Sequence, residues 1–144
     1  MVVFDLLLDA VVTAIVVVAT ACIGVLAHES LHWLIGHFVG GSPKYTSRWY
    51  GVPTAVKFVT PENMSDREIQ FAGGAVLIFP FLLFLFLLDL KTAQIADSVV
   101  LTGVLGFLLG SSVVSGLDMM AFSQPAIWRR FSQGEKIDIS DFGY

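Results

Sequence analysis

Residues 10–27 read AVVTAIVVVATACIGVLA and run straight into His28-Glu29-Ser30-Leu31-His32. Such an uncharged run makes about 27 Å of helix, close to the roughly 30 Å thickness of bilayer hydrocarbon. Two further uncharged runs follow, at 69–88 (IQFAGGAVLIFPFLLFLFLL) and 98–117 (SVVLTGVLGFLLGSSVVSGL). Three of them in 144 residues point to membrane integration rather than to a soluble core.

Composition agrees. Hydrophobic residues make up 56% of the chain and charged ones 14%, against about 25% charged in a typical soluble protein. This excludes a disordered chain and an ordinary soluble enzyme. Eight basic residues against twelve acidic ones leave a net charge of −4, so there is no basic footprint for nucleic acid. The single cysteine, Cys22, excludes a disulfide framework and any Cys-rich metal site. In mid-span it reads as a small apolar filler.

The expected fold is an all-α membrane domain covering 1–144. It has three transmembrane helices, at about 6–38, 66–88 and 97–119, and a small cytoplasmic β-hairpin insert between helices one and two. Helix one stops at Gly40-Gly41-Ser42-Pro43. The β-prone run Ala55-Val56-Lys57-Phe58-Val59 follows the turn signal Gly51-Val52-Pro53 and places the hairpin within 44–60. Ser65-Asp66-Arg67-Glu68 reads as a capping box that starts helix two. Pro80 predicts a kink near 76–80, and Asp97 an N-cap for helix three. Pro125 breaks helix in the tail, and from Ser132 onward the sequence is polar enough to be poorly ordered.

Basic residues orient the spans. Lys44, Arg48, Lys57 and Arg67 lie between spans one and two, and Arg129, Arg130 and Lys136 follow span three. Only Lys91 lies in the remaining loop. The positive-inside rule puts the loop 40–65 and the tail 121–144 in the cytoplasm and the N-terminus outside. Asp5 and Asp9 stand where a signal peptide would carry basic residues, so the first segment is expected to be retained as a span.

The strongest chemical motif is His28-Glu29-Ser30-Leu31-His32, an HExxH sequence on a helix. Positions 28 and 32 are about 40° apart on one face, so both imidazoles can share one metal ion. Glu29 points roughly 100° away, toward a metal-bound water rather than the metal. Zinc polarises that water, and the glutamate takes its proton and later hands it on. HExxH fixes only three positions and arises by chance in many sequences. Ionisable residues at the end of a span, however, are costly and point to function.

Two histidines leave zinc short of a third protein ligand. His37 lies nine residues from His28, on the opposite helix face, and reads as an interfacial or supporting residue. Asp118 ends the third uncharged run. Spans one and three run in the same direction, so His28, His32 and Asp118 fall at similar depth near the cytoplasmic side. Ser112 and Ser115 stand close to Asp118 in sequence and are candidates for hydrogen bonding near the site. Gly73 and Gly74 would let helix two approach the metal-bearing helix closely.

These residues resemble a family. His28-Glu29-x-x-His32 followed by Gly36 and Gly40 looks like the opening motif of the site-2 proteases, intramembrane zinc metalloproteases. Phe71-Ala72-Gly73-Gly74 resembles their Ala-Gly-Pro segment. Leu117-Asp118 resembles their Leu-Asp-Gly segment, whose aspartate is the third zinc ligand. The likeness covers about 5–122. Gly74 and Met119 replace a proline and a glycine of that pattern, and its asparagine and proline before the aspartate are absent. Ser115-Gly116-Leu117-Asp118-Met119-Met120, together with Pro80, is closer to a related, little-characterised group of membrane zincin peptidases.

The resemblance implies a Zn2+-dependent peptidase with Glu29 as general base and a membrane protein or peptide as substrate. The lipid bilayer is its setting, no nucleic acid is involved, and a homo-oligomer is compatible with it. The alternative is a non-catalytic metal-binding membrane protein, a zinc sensor or buffer, which needs the ligands but not Glu29.

Overall fold

The computed structural model describes residues 2–49, 52–90 and 99–138. The expected cap at Asp97 and the loop at Lys91 lie outside them. The architecture is mainly helical: α1 (Val2–Phe38), the strands β1 (Pro43–Trp49) and β2 (Val52–Phe58), then α2 (Asp66–Gly74), α3 (Ile78–Leu90), α4 (Val99–Ser111), α5 (Gly116–Ser123) and α6 (Pro125–Ser132).

Phe4–Phe38 and Asp66–Leu88 are each long and apolar enough to cross a membrane. A third crossing exists if Val99–Ser111 and Gly116–Ser123, bent by 63°, count as one span. The large apolar side chains Leu7, Ile15, Val18, Phe81, Phe84 and Leu88 are exposed. Lipid is the medium in which a surface of that kind carries no penalty.

By contacts the chain forms two compact units, Met1–His28 with Ile78–Val113, and Glu29–Leu77 with Val114–Tyr144. In the first, α1 and α4 meet through glycines. A Cβ on Gly24 would lie 2.1 Å from the Phe107 carbonyl oxygen, and one on Gly110 would lie 2.0 Å from that of Ala21. Only a hydrogen at these positions lets two backbones come so close, which is how membrane helices pack without a hydrophobic driving force.

In the second unit, Ile35, Phe58, Met64, Ile69, Ala72 and Ala121 form a buried cluster. The Phe58 ring packs against α1 where Gly36 leaves room; a Cβ there would be 2.1 Å from it. Gly40 takes a left-handed φ of +78° and closes α1, with the Gly41 amide donating to the Gly36 carbonyl at 2.8 Å. The hairpin is antiparallel, with Pro43 opposite Phe58 and Lys44 opposite Lys57. Its register shifts between Thr46 and Trp49, opposite Pro53, which cannot donate to the ladder.

The capping box expected at Ser65 is present and starts α2. The irregularity expected near Pro80 takes the form of a 3-10 turn at Ala75–Leu77. Pro80 has no N–H for the Val76 carbonyl four residues back, so a straight helix cannot run through. It sits instead as the third residue of α3, where a missing donor costs nothing.

Helix three departs from expectation. The sequence reading runs it unbroken over 97–119, but α4 stops at Ser111 and α5 begins at Gly116. The reason is local. Val113 and Val114 are β-branched, and the flanking serines offer the backbone other hydrogen bonds. The Ser115 hydroxyl then accepts from the Asp118 amide, which starts a new helix. Pro125 likewise ends one helix and occupies the first turn of the next, α6.

Candidate metal centre

The HExxH segment lies on α1 without a break, so His28 and His32 keep the one-turn spacing that the helix dictates. Both are buried, at 3% and 7% exposure. Each imidazole is tied by Nδ1 to a main-chain carbonyl: His28 to Ser111 O and His32 to Ala72 O, both at 2.8 Å. These acceptors sit in the last turns of α4 and α2, where helix carbonyls lack their usual partners. A carbonyl only accepts, so Nδ1 carries a proton in both rings, and Nε2 is the nitrogen left to ligate a metal ion.

His32 Nε2 faces Asp118 Oδ1 at 3.1 Å. A ring nitrogen and a carboxylate oxygen at that distance share either a proton or a metal ion. His28 adds a third donor. One ligand atom from each of His28, His32 and Asp118 lies within 4.8 Å of the others, and the group can hold a metal ion. Tetrahedral zinc with bonds of about 2.1 Å sets its ligand atoms about 3.4 Å apart, so the His32–Asp118 edge already has the required scale. Two neutral imidazoles and a carboxylate are a donor set that suits a divalent ion such as zinc.

Asp118 does not reach this position as the end of a straight span. It is the third residue of α5, held by the capping box with Ser115: the Ser115 amide donates to Oδ2 at 2.7 Å, and the Asp118 amide donates to Ser115 Oγ at 3.2 Å. Gly73 and Gly74 make their close approach to α5, not to the histidine helix as expected. A Cβ on Gly73 would lie 2.6 Å from Ala121 Cβ and 3.0 Å from the Asp118 carbonyl oxygen, and one on Gly74 would meet the Phe122 ring at 2.6 Å. The carbonyl of Ala72, beside them, is what reaches His32.

Glu29, His32 and Asp118 line one cavity of about 490 Å³. Val56 of the hairpin and Trp128 and Phe131 of α6 give it apolar walls, and Thr46, Lys57, Gly73 and Ser115 also line it. This size is within the range of sites that take small molecules or short peptide segments. Trp128 packs on Phe58 with ring centroids 5.6 Å apart. Arg129 anchors α6 through Asp66 and the Met64 carbonyl, each at 2.7 Å.

The other candidates lie elsewhere. His37 is exposed and stacks on Trp33 at 5.4 Å, and Trp33 stacks in turn on Tyr45. Ser112 lies in the break, its amide closing the last turn of α4 on the Leu108 carbonyl. Cys22 is exposed and outside the ligand group. Sequence reading missed Ser111 and Ala72, because they act through main-chain carbonyls that any residue possesses. It missed Phe58 and Trp128 as cavity-forming residues, because only packing brings β2 and α6 together. Ser115-x-x-Asp118 was legible as a box of the same form as Ser65-x-x-Glu68, but the apolar run around it hides the signal. Compared with protein-family models, curated protein sequences and solved structures, the chain matches none.

Proposed function

We propose that this protein is a zinc-dependent membrane metallopeptidase that hydrolyses peptide bonds in or near the bilayer, akin to the site-2 proteases and the membrane zincin peptidases. One observation carries the reading: His28, His32 and Asp118 form a group that can hold a metal ion, and two of them, His32 and Asp118, line a cavity together with Glu29. A metal store needs the ligands, but it needs neither a carboxylate beside them nor an apolar cavity open to them.

Bound zinc would supply a Lewis acid that polarises the substrate carbonyl and lowers the pKa of a water molecule. His28, His32 and Asp118 hold that ion. Glu29 accepts a proton from the attacking water and returns it to the leaving amine. The apolar walls bind an extended segment of a membrane protein or peptide and exclude bulk water, with Trp128 and Phe131 beside a bulky apolar side chain. The basic residues that follow spans one and three support a site toward the cytoplasm with the N-terminus outside.

The test is cleavage of a transmembrane peptide by purified protein in detergent or lipid nanodiscs. Glu29→Gln is expected to retain zinc and to lose cleavage by at least about a hundredfold, the scale of positioned acid–base catalysis. Undiminished cleavage contradicts the proposal. A biological activity that survives Glu29→Gln but is lost in His28→Ala would favour a metal sensor or buffer instead.

A further inference from the structure

The geometry points to Ser115 as the positioning residue of the metal centre: it holds the Asp118 carboxylate so that a single oxygen is presented to the ion. The inference rests on the metal-site reading above.

The two carboxylate oxygens of Asp118 have different tasks. Oδ2 accepts from the Ser115 amide at 2.7 Å, and Oδ1 faces His32 Nε2 at 3.1 Å. The Ser115 hydroxyl closes the turn from the other side by accepting from the Asp118 amide at 3.2 Å. With Oδ2 engaged, the carboxylate cannot rotate freely about its last torsion, nor readily offer both oxygens to one metal. Supporting hydrogen bonds of this kind orient a ligand before the metal arrives.

The chain contains an internal comparison. At the start of α2, Ser65 makes the same kind of box with Glu68. There the Ser65 amide and hydroxyl both donate to one oxygen, Glu68 Oε2, at 2.6 and 2.7 Å. Glu68 takes no part in the ligand group. The box motif ordinarily carries Glu or Gln at this position. At α5 the residue is Asp, one methylene shorter, so the carboxylate stays over the first turn and its second oxygen remains at His32. The box at Ser65 starts a helix. The box at Ser115 starts a helix and aims a ligand.

Four variants of the full-length protein separate these roles: Ser115→Thr, Ser115→Ala, Ser115→Pro and Ser65→Ala. Ser115 has φ −81°, within reach of proline, so Ser115→Pro removes the amide donor together with the hydroxyl at a φ that proline adopts. Zinc affinity is read by competition with a chromophoric chelator, and ligand geometry by the visible spectrum of the Co2+-loaded protein. Ser115→Ala is expected to weaken zinc binding about tenfold and Ser115→Pro by about ten- to a hundredfold, both with a changed Co2+ spectrum. Ser115→Thr is expected to restore both readouts. Ser65→Ala should lower thermal stability and leave affinity and spectrum unchanged.

Wild-type affinity and spectrum in both Ser115→Ala and Ser115→Pro overturn the inference, and so does an equal loss in Ser65→Ala. Should Ser115→Pro fail to fold, loss in Ser115→Ala with recovery in Ser115→Thr supports the inference, and wild-type affinity and spectrum in Ser115→Ala overturn it. Failure of the underlying reading looks different: the wild-type protein takes up neither Zn2+ nor Co2+, or its uptake survives His32→Ala, and both ideas then fall together.

Discussion

His32 carries more of the site than any other side chain. Its Nδ1 is tied to the Ala72 carbonyl and its Nε2 to the Asp118 carboxylate. The ring's orientation is therefore fixed through both nitrogens. Removing a direct ligand should cost more than the ten- to hundredfold associated with supporting hydrogen bonds. His32→Ala is accordingly expected to reduce zinc affinity more than a hundredfold, as measured by chelator competition, while His37→Ala is expected to leave it unchanged. The motif itself was readable in the sequence, because HExxH spacing and helix periodicity are both local. Its main-chain partners were not, because a carbonyl at Ser111 or Ala72 has no residue-specific mark.

At the scale of elements, the breaks matter as much as the helices. The 3-10 turn at Ala75–Leu77 and the gap between α4 and α5 lie beside the carbonyls that receive His32 and His28. The first was legible from Pro80, whose missing N–H is a property of the residue type. The second was not, since hydropathy over 98–117 runs through it without a change. Glycines set the packing of α1 on α4, and their contributions differ. A Cβ on Gly110 meets backbone atoms of Ala21 at 2.0 Å, whereas one on Gly103 meets only side-chain methyls at 3.6 Å or more. Backbone cannot move aside by a rotamer change. Gly110→Val is therefore expected to destabilise the protein by about 1–3 kcal/mol or more, in the manner of overpacking. Gly103→Ala should be close to neutral. Thermal unfolding in one detergent compares the two.

For the whole molecule, the question is how many times the chain crosses the bilayer. Two helices are long and apolar enough to cross, and the bent pair α4–α5 decides between an odd and an even number. With the bent pair as a span, the N- and C-termini lie on opposite faces; with it re-entrant, they share one. Seven of the eight basic residues flank the segments after spans one and three, which favours opposite faces with the C-terminus inside. Reporter fusions at the two ends are expected to show an external N-terminus and a cytoplasmic C-terminus. Two termini on the same face would make the bent pair a re-entrant loop.

The sequence by itself determined the helical class, the hairpin after α1, the capping box at Ser65 and the HExxH pair, because each depends on composition or on contacts within a few residues. Only the tertiary structure decided that Asp118 joins His28 and His32 across about ninety positions of chain, and that it does so from the first turn of a new helix. It also decided that Gly73 and Gly74 serve α5 rather than α1. Approaches of that kind depend on which backbones lack a Cβ at the point of contact. That is a relation between segments distant in sequence, and no local pattern encodes it.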